Sequence, residues 1–425
     1  MALRHLFTWL CLGTRTLGLY LWYSCIRRQQ TIFYARVLQL FRNDNILFTK
    51  VFQSLANSSA LELSPEFRAE LIPYTTQVSY KDSEIDYSII DQVEEDYQVT
   101  IDRRVINSGM IALVFRGTQQ LEDGTTRDVI LKLKRRNVEA EIQRGCESTR
   151  FMFHLAAYFY PRNIFLRVLH PFIENLEDII EQCDFEHEIS NCRQANEDFS
   201  DLDFIKIPAI FNRVTPNTEF ILMERIEGTH TLPPETSDED RLRYLLYFVK
   251  FVTYSFFSNS IQHTDLHGGN MIFTPHGLGI IDYGMALQAS DELHEVFINI
   301  GEIIKNQELI SDLDYIKVFK HMFSPVVDEK DIQDPVRFRT ICENICRQLT
   351  SNVDFDHLHV ADHLEEISSE LNRPLILQPE MYKLLLSASM MGGILATLGP
   401  RREALSNRIH DVEIEAANFA FSMIM

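Results

Sequence analysis

The stretch of residues 263–284 carries the residue types and spacing with the clearest chemical meaning. It reads HTDLHGGN, a short apolar run, a Pro-His-Gly turn, a second apolar run and then Asp-Tyr-Gly. The runs Met271–Thr274 and Leu278–Ile281 around a three-residue turn predict a β-hairpin. Because a hairpin brings its two ends together, we expect Asn270 and Asp282 to lie side by side.

The ends of this predicted hairpin offer the ligands of a phosphotransfer site. The amide oxygen of Asn270 beside the carboxylate of Asp282 makes a hard-oxygen site that suits Mg²⁺. Asp265, one tight loop upstream, is placed to accept a proton from a hydroxyl. A metal site with a nearby base is typical of phosphoryl transfer from a nucleotide. His263 and His267 are four residues apart, but the glycines directly after them disfavour a helix, so we expect these histidines to brace the loop.

Phosphoryl transfer also needs a cation on the nucleotide phosphates. Lys132 lies in the predicted strand Val129–Leu133, and Lys134 projects to the same face because strand side chains alternate with a period of two. The residues alone do not separate the two lysines.

A helix predicted over residues 172–191 offers a carboxylate partner for such a lysine. Glu181, Asp184 and Glu188 follow one another at spacings of three and four, so a continuous helix would place them on one face. The place of this helix between the lysine strand and the predicted metal loop favours Glu188.

Two further motifs bear on the substrate. Residues 108–112 read Ser-Gly-Met-Ile-Ala, and the one glycine, Gly109, is a weak phosphate-loop signal because no G-x-G-x-x-G is present. No Ala-Pro-Glu follows the Asp-Tyr-Gly of residues 282–284 at a suitable distance. Protein kinases use that motif to support a peptide-docking segment, so its absence argues against a conventional protein substrate.

Composition argues against a nucleic-acid partner and indicates the redox state of the compartment. The formal net charge of -21, from 61 acidic and 40 basic residues, disfavours a nucleic-acid partner because phosphate binding needs clustered Lys and Arg. The 7 cysteines form no CxxC pair, which favours free thiols in a reducing, intracellular compartment.

The N-terminal segment, residues 1–43, holds six arginines and no acidic residue. Its apolar part, Leu6–Ile26, is long enough for a membrane span of about 20 residues. Arg15 lies near the middle, however, and costs about 2.5–3.5 kcal/mol there on insertion scales. A helix lying on a membrane surface or an organelle-targeting sequence avoids that cost, and both are favoured over a full span. Packing on the protein's own core is the remaining alternative.

Strands followed by helices predict an α+β, two-lobed architecture with an N-terminal helical extension. Helical periodicity covers Thr31–Ala56, Ser64 and Pro65 mark a helix start, and Ile111–Thr118 and Val129–Leu133 read as strands. The predicted divisions are a basic apolar segment at 1–43, a helical extension at 44–96, a mixed N-lobe at 97–228 and a helical C-lobe at 229–425.

Taken together, residues 45–290 resemble the UbiB/ADCK family of atypical, protein-kinase-like proteins. The catalytic-loop pattern of that family, H-x-D-x-H-x-G-N, matches residues 263–270 at every specified position, and its D-F-G element is similar to residues 282–284. Its V-A-V-K-V strand selects Lys132 over Lys134.

Two more family patterns align with this chain. The E-x-D-(Y/F)-x-x-E helix is similar to residues 182–188, which makes Glu188 the expected partner of Lys132. The M-E-x-x-x-G hinge is similar to Met223–Gly228.

The K-x-G-Q signature of the family appears as Lys50-Val51-Phe52-Gln53, with Phe52 in place of the glycine. We expect this phenylalanine to fill space where the backbone packs closely. Gln182 stands where the family has the first acid of E-x-D. In family members these elements cover the active site and restrain protein kinase activity, so the resemblance implies regulatory roles for Lys50, Gln53 and Asp184.

The resemblance implies ATP and Mg²⁺ as cofactors, with ATP bound between the lobes. The expected catalytic residues are Asp265 as proton acceptor, Lys132 on the phosphates and Glu188 as the group that orients it, and the expected Mg²⁺ ligands are Asn270 and Asp282. The expected nucleotide-binding residues are Lys132, Gly109, Ala112, Val114, Met223 and Glu224. Met110 stands in that loop where a serine is usual.

The same resemblance implies slow ATPase or kinase-like activity, association with membrane lipid or with lipid-pathway proteins, and support of ubiquinone-type metabolism, with a mitochondrion or another organelle as an expected location. Two alternatives stay open. A small-molecule kinase of the aminoglycoside or choline phosphotransferase kind has a similar H-x-D-x-x-x-x-N loop but lacks the element around Lys50 and Gln53. A pseudokinase that binds lipid or a partner protein would use nucleotide only as a switch.

Overall fold

A computed structural model describes most of the chain. The described residues are 2–57, 64–76, 78–160, 173, 176–213, 217–305, 319–351, 366–373, 375–381, and single positions at 383, 384, 387, 394, 398, 415 and 419. The architecture is α+β with N-terminal helices, as predicted. Two compact units are present: the first runs from the N-terminal helices to Ser190 and includes Ala209–Arg225, and the second comprises Asn191–Pro208 and the chain from Ile226 onward.

The first unit begins with helices. They are α1 (Ala2–Leu19), a π-helical turn (Tyr20–Ile26), α2 (Gln30–Asp44), α3 (Phe48–Asn57), α4 (Pro65–Leu71), α5 (Pro73–Thr76) and α6 (Tyr87–Tyr97). The predicted start of α4 is confirmed, because the Ser64 side chain accepts a hydrogen bond from the Phe67 N–H and Pro65 occupies the first turn. The single helix predicted over Thr31–Ala56 is two helices. The Asn45 side chain accepts from the Leu47 N–H at 2.9 Å and ends the helical ladder there.

Helix α1 packs on the first unit through one side. Leu12 is buried, the Trp9 indole Nε1–H donates to Ser148 Oγ at 3.0 Å, and the His5 and Phe151 rings lie 5.7 Å apart. Among the helices that the structure describes, none is long and apolar enough to cross a membrane.

A four-stranded antiparallel sheet forms the centre of the first unit. Its strands are β1 (Val99–Ser108), β2 (Ala112–Gln120), β3 (Thr126–Lys134) and β5 (Phe220–Glu224), in the order β1-β2-β3-β5. The strands predicted at Ile111–Thr118 and Val129–Leu133 correspond to β2 and β3. One sheet face packs on α6 through Leu113, Leu131 and Leu222, and the other forms a second core with α7 (Val138–Phe159). The sheet therefore has two buried faces, and the side-chain alternation of each strand decides which core a residue joins.

The helix predicted over residues 172–191 is wrong as one continuous element. Residue 173 is helical, α8 covers Glu177–Glu181, and a new helix, α9, covers Phe185–Asp198. Asp184 causes the break, because its side chain accepts hydrogen bonds from the Glu186 and His187 N–H groups at 2.9 and 3.3 Å and so caps α9. Glu181 lies in the preceding helix and does not share the face of Glu188.

The second unit is mainly helical, with α10 (Asp238–Phe257), α11 (Asp291–Lys305) and α12 (Pro335–Ser351). Its short strands are β4 (Ile205–Lys206), β6 (Gln262–His263), β7 (Met271–Thr274), β8 (Gly277–Ile280), β9 (Ala286–Leu287), β10 (Phe323–Ser324) and β11 (Ile376–Leu377). Buried side chains of α11, α12 and the segments around Phe319 and Ile367 form its core.

The predicted β-hairpin is present as β7 and β8, paired antiparallel from Met271 opposite Ile280 to Thr274 opposite Gly277. The connecting turn has two residues and not the three expected, because Gly277 pairs with Thr274. A Cβ at Gly277 would collide with the backbone of Phe204, so this strand position requires a glycine.

Candidate functional site

Lys132 and Glu188 form a buried ion pair in the first unit. Lys132 Nζ lies 2.6 Å from Glu188 Oε1, and the two side chains are 12% and 4% exposed. Lys134 projects from the same face, and both ammonium groups lie over the Phe185 ring, at 5.6 and 5.4 Å from its centroid. Lys134 pairs instead with Glu219 at 3.4 Å, and the Glu219 side chain is 46% exposed. The buried carboxylate of α9 therefore holds Lys132 and not Lys134.

The strand register brings several predicted nucleotide-binding residues to the face that carries Lys132. Val114 lies opposite Lys132, and Ala112 lies opposite Lys134. Met223 lies opposite Ile130 on the neighbouring strand, so its side chain has the same orientation. Glu224 follows on the opposite face, where its carboxylate accepts a hydrogen bond from the Ala209 N–H at 3.2 Å.

The loop before β2 folds into a tight turn. The Gly109 N–H donates to the Ala112 carbonyl at 2.9 Å, and the Arg135 N–H donates to the Ile111 carbonyl at 2.8 Å. A Cβ at Gly109 would meet only the Ala112 carbonyl oxygen, at 3.6 Å, so the backbone has open space on this side. Met110, which stands at the family's serine position, is buried in the core between the sheet and α7.

His263 braces the loop that carries Asp265, as expected from the sequence. Its Nδ1 accepts from the Asp265 N–H at 3.2 Å, so its Nε2 carries the proton and donates to the Ile281 carbonyl at 3.1 Å. Burial lowers the pKa of His263 below its usual value, which keeps the ring neutral and preserves this donor–acceptor pattern. Ser387 Oγ donates to the His263 carbonyl at 3.0 Å. His267 similarly accepts from the Gly269 N–H at 3.0 Å.

Asn270 links the Asp265 loop to the strand that ends before Asp282. The Asn270 Nδ2 group donates to the Asp265 carbonyl at 3.0 Å, and the Ile281 N–H donates to the Asn270 carbonyl at 3.0 Å. The amide nitrogen is thus committed to the protein, and the amide oxygen is the atom that suits a cation. Asp282 is exposed and has left-handed backbone geometry, with φ at 65°.

Tyr283 anchors the Asp-Tyr-Gly element in the second unit. Its ring is buried 5.0 Å from that of His263, and its carbonyl accepts from Asn191 Nδ2 at 3.0 Å. Burial raises the pKa of Tyr283 well above its usual value, and the nearby Cys192 and Asp198 add to that effect. Within the part of the chain that the structure describes, the Tyr283 hydroxyl has no hydrogen-bond partner.

The donor set of the second unit fits a magnesium ion. Magnesium binds oxygen ligands and usually takes one or two from the protein, the rest coming from water and substrate phosphates. The Asn270 amide oxygen and the Asp282 carboxylate are ligands of that kind. No cluster of three or more His, Cys, Asp or Glu residues suited to a metal occurs among the described residues.

The predicted regulatory residues lie in the N-terminal helices and at the cap of α9. Lys50 is buried, and Gln53 Nε2 donates to the Tyr74 carbonyl at 3.0 Å. Phe52 fills space as expected, since it is buried against Tyr74, with ring centroids 5.1 Å apart, and stacks on Phe48 at 6.2 Å. An aromatic cluster thus replaces the close backbone packing that a glycine would permit.

Comparison with known proteins decides the family. A family model described as the ABC1 atypical kinase-like domain matches residues 78–309, more than half of the chain. The chain belongs to the ABC1 atypical kinase-like family. This membership confirms the resemblance to UbiB/ADCK proteins, and the chain is a divergent ABC1 member because its curated relatives are only distantly similar.

One such relative, "Probable protein kinase UbiB" of Aeromonas salmonicida (strain A449), is 24% identical over 276 residues, covering 60% of this chain and 47% of the relative. "Protein ACTIVITY OF BC1 COMPLEX KINASE 1, chloroplastic" of Arabidopsis thaliana is 25% identical over 304 residues, covering 67% and 43%. A solved Mycobacterium tuberculosis protein in complex with erythromycin is 16% identical, with 78% of this chain and 84% of that chain covered and a TM-score of 0.46. This ABC1 chain spans less than half the length of the curated relatives it matches.

Three residues near the predicted site were not identified from the sequence. Ser387 lies 124 residues from the His263 carbonyl that it contacts. Asn191, whose side chain donates to the Tyr283 carbonyl, lies 92 residues before it in the chain. Arg135 contacts the loop of the ABC1 domain that contains Gly109, and only its place one residue after β3 pointed toward it.

Proposed function

We propose that this chain is an atypical kinase or ATPase that binds Mg-ATP. The observation that carries the proposal is the buried pair of Lys132 and Glu188. A buried charge pair is costly to build, and protein-kinase-like sites use one to fix the phosphate-binding ammonium. Membership of an atypical kinase-like family supports the same reading.

Each proposed role follows from the chemistry of its side chain. Lys132 binds nucleotide phosphates, and Glu188 fixes the position of its ammonium group. Asn270 and Asp282 hold Mg²⁺ through oxygen atoms, and Asp265 accepts the proton of the attacking hydroxyl or water. When bound, magnesium neutralises charge on the phosphate oxygens. The adenine and ribose would contact the residues around Ala112, Val114, Met223 and Glu224.

The metal assignment is tested by replacing Asp282 with asparagine. Asn and Asp have the same shape, and both tolerate the left-handed backbone found here, so Asp282→Asn should fold normally. We expect the variant to lose the thermal stabilisation that Mg-ATP gives the parent protein. Exposed Asp203→Asn serves as the control and should keep it. An unchanged response of Asp282→Asn to Mg-ATP would overturn the metal assignment.

Asp265→Asn separates an enzyme from a pseudokinase. If Asp265 accepts the proton, its replacement should lower ATP turnover by about 10²–10⁴-fold while nucleotide binding persists. Turnover by the parent protein that Asp265→Asn leaves intact would remove this residue from the mechanism. A parent protein that binds Mg-ATP but shows no turnover with or without lipid would favour the pseudokinase alternative.

The identity of the phosphoryl acceptor distinguishes the proposed function from the remaining enzyme alternative, a small-molecule kinase. The element around Lys50 and Gln53 is packed into the first unit through Tyr74, which favours the UbiB/ADCK reading over a small-molecule kinase. Phosphate release with ATP alone, unaffected by aminoglycosides or choline, is the expected result. Transfer to one of those small molecules would favour the alternative.

The exposed side of α1 supports action at a membrane. Leucine and phenylalanine side chains form a stripe along that side and into the π-helical turn that follows, defined as Leu6, Phe7, Leu10, Leu17 and Leu21, each between 46% and 67% exposed. Arginines at positions 4, 15, 27 and 28 supply positive charge for anionic lipid. The family resemblance makes lipid, including an isoprenoid quinone such as ubiquinone, the proposed metabolic setting. Because one relative is described as chloroplastic, an organelle is the proposed location.

A vesicle assay tests this surface. Phe7→Ser/Leu10→Ser should reduce co-sedimentation with anionic phosphatidylserine vesicles and reduce lipid-stimulated ATP hydrolysis. Val336→Ser removes an apolar side chain of the second unit that is even more exposed, at 76%, and should change neither. Equal sedimentation of all three proteins would reject α1 as the lipid-binding element.

A further inference from the structure

Arg135 lies at the end of β3 and holds the loop that contains Gly109. Its Nη2 group donates to the Gly109 carbonyl at 2.6 Å and to Ser108 Oγ at 2.8 Å. Its backbone N–H donates to the Ile111 carbonyl at 2.8 Å. Three residues of the 108–112 loop are therefore bonded to one arginine.

The other side of the same guanidinium contacts the segment before α6. Nη1 donates to Glu84 Oε2 at 2.6 Å and to the Ser79 carbonyl at 3.2 Å, and Nη2 reaches the Val78 carbonyl at 3.3 Å. The Val78 N–H in turn donates to the Ser108 carbonyl at 2.7 Å, and Ser108 Oγ donates to the Val78 carbonyl. The loop is thus joined to residues 78–84 both directly and through Arg135.

Burial makes these contacts strong and specific. The Arg135 side chain is 2% exposed. Burial lowers the pKa of Arg135, and the carboxylate of Glu84 opposes that effect. Arginine remains charged in proteins, so each carbonyl receives a charge-assisted hydrogen bond in a planar fork that lysine does not reproduce.

The location of Arg135 connects the loop to the proposed phosphate lysine. Arg135 follows Lys132 by three residues on the same chain segment, and β3 pairs with β2 along its whole length, including Ala112 opposite Lys134. A guanidinium fixed at the end of β3 sets the distance between the loop backbone and the strand that carries Lys132. If the loop moved independently of β3, this distance would no longer be fixed.

The structure assigns Arg135 as a positioning residue that holds the 108–112 loop in the conformation that receives the nucleotide. This assignment rests on the proposed function for its ligand, while the ordering of the loop by Arg135 is a property of the ligand-free chain. Nucleotide binding and loop order are therefore measured separately.

The first experiment is hydrogen–deuterium exchange on the full-length, ligand-free protein. Arg135→Lys keeps the charge near Glu84 but loses the fork, so amides of residues 109–112 should exchange about tenfold faster or more. Arg136→Lys is the matched control, because the Arg136 side chain is 48% exposed and forms a surface ion pair with Asp86 at 3.0 Å. Its loop should exchange at the parent rate.

The second experiment measures Mg-ATP turnover at a temperature where all variants are folded. Arg135→Lys should raise the KM for ATP about tenfold or more and leave kcat within about twofold, because a displaced loop weakens binding without touching the reacting atoms. Leu71→Ala opens a cavity among the N-terminal helices of the same unit and controls for general destabilisation. It should change neither the KM nor the exchange of the loop.

Glu84→Gln provides a milder variant, since it keeps the shape of the partner and removes its charge. It should shift loop exchange in the same direction as Arg135→Lys, by a smaller factor. The assignment is overturned if loop exchange is unchanged in Arg135→Lys and Glu84→Gln, or if Leu71→Ala reproduces the effects of Arg135→Lys. If the loop of Arg135→Lys exchanges faster but the parent protein binds no nucleotide, Arg135 still orders the loop and the proposed function is rejected.

Discussion

The buried pair of Lys132 and Glu188 allows a prediction that stability measurements can test without any ligand. Lys132→Met keeps the aliphatic stem and removes the charge, which leaves the Glu188 carboxylate, 4% exposed, without its cation. Loss of one partner of a buried pair costs about 3–5 kcal/mol. For a unit of about 200 residues this corresponds to a fall in Tm of about 6–20 °C.

Lys134→Met is the matched control, two residues along the same strand face. Its partner Glu219 is 46% exposed and is rehydrated when the lysine is lost, so the cost should be about 0–1 kcal/mol. Both variants are measured by thermal unfolding, followed by circular dichroism in the same buffer. Equal losses in the two variants would refute the reasoning, because burial of the carboxylate would then have no energetic consequence.

The double variant Lys132→Met/Glu188→Leu completes the test. Replacing both charges with apolar side chains removes the stranded carboxylate, so the double variant should be more stable than Lys132→Met by about 3 kcal/mol or more. Nucleotide binding should remain lost, because the cation is still missing. A double variant as unstable as the single one would show that the cost of Lys132→Met comes from packing and not from charge.

Three further outcomes follow from single side chains. Tyr283→Phe should stabilise the protein by about 1 kcal/mol in urea denaturation, because it removes a buried hydroxyl with no hydrogen-bond partner in the described part of the chain; a loss of stability would reveal a partner. Gly109→Ala should fold with an unchanged Tm, since its Cβ meets only the Ala112 carbonyl oxygen at 3.6 Å, and should weaken Mg-ATP binding; unchanged affinity would remove this loop from the phosphate site. Burial raises the pKa of the Cys183 thiol to about 12, so at pH 8 iodoacetamide should label exposed Cys25 while the native protein protects Cys183; labelling of both at similar rates would contradict its burial.

Local patterns predicted the elements whose signals are contained in a few neighbouring residues. The β7–β8 hairpin followed from two apolar runs around a turn, and the start of α4 followed from Ser64 and Pro65, because a cap and its N–H partner are three residues apart. The length of the hairpin turn was harder to predict from the sequence. Gly277, which pairs with Thr274 and so shortens the turn to two residues, also packs against the backbone of Phe204, and this contact between distant residues has no local sequence signal.

The predicted helix over residues 172–191 shows where periodicity misleads. Spacings of three and four among Glu181, Asp184 and Glu188 satisfy a helix, but an aspartate can also end one helix and cap the next. The hydrogen bonds from the Glu186 and His187 N–H groups to the Asp184 side chain decide between these states, because they compete with the hydrogen bonds of a continuous helix. A sequence pattern that counts only spacing does not register that competition.

Contacts between residues that are far apart in the chain could not be predicted from the sequence, for a different reason. Arg135 reaches the Val78 carbonyl over 57 residues, and its neighbour Arg136 has the same charge but lies exposed. The sequence Lys-Arg-Arg at residues 134–136 does not indicate which arginine is buried against carbonyl groups and which is solvated. The difference arises after β3 has ended, where Arg135 is buried against the carbonyl groups of Val78, Ser79 and Gly109 while Arg136 lies in an exposed turn.

The choice between Lys132 and Lys134 depends on a comparable distinction. Period-two geometry gives both lysines the same face, and their distances to the Phe185 ring differ by only 0.2 Å, so neither alternation nor ring contact separates them. Their carboxylate partners do, because Glu188 is buried on α9 whereas Glu219 is half exposed. The Lys134 side chain is itself only 9% exposed, but its carboxylate partner lies 3.4 Å away and is partly hydrated, whereas a dehydrated carboxylate at 2.6 Å holds the Lys132 ammonium in one position. A phosphate site needs a cation whose position is fixed before the nucleotide arrives, and this requirement favours Lys132 for the proposed role.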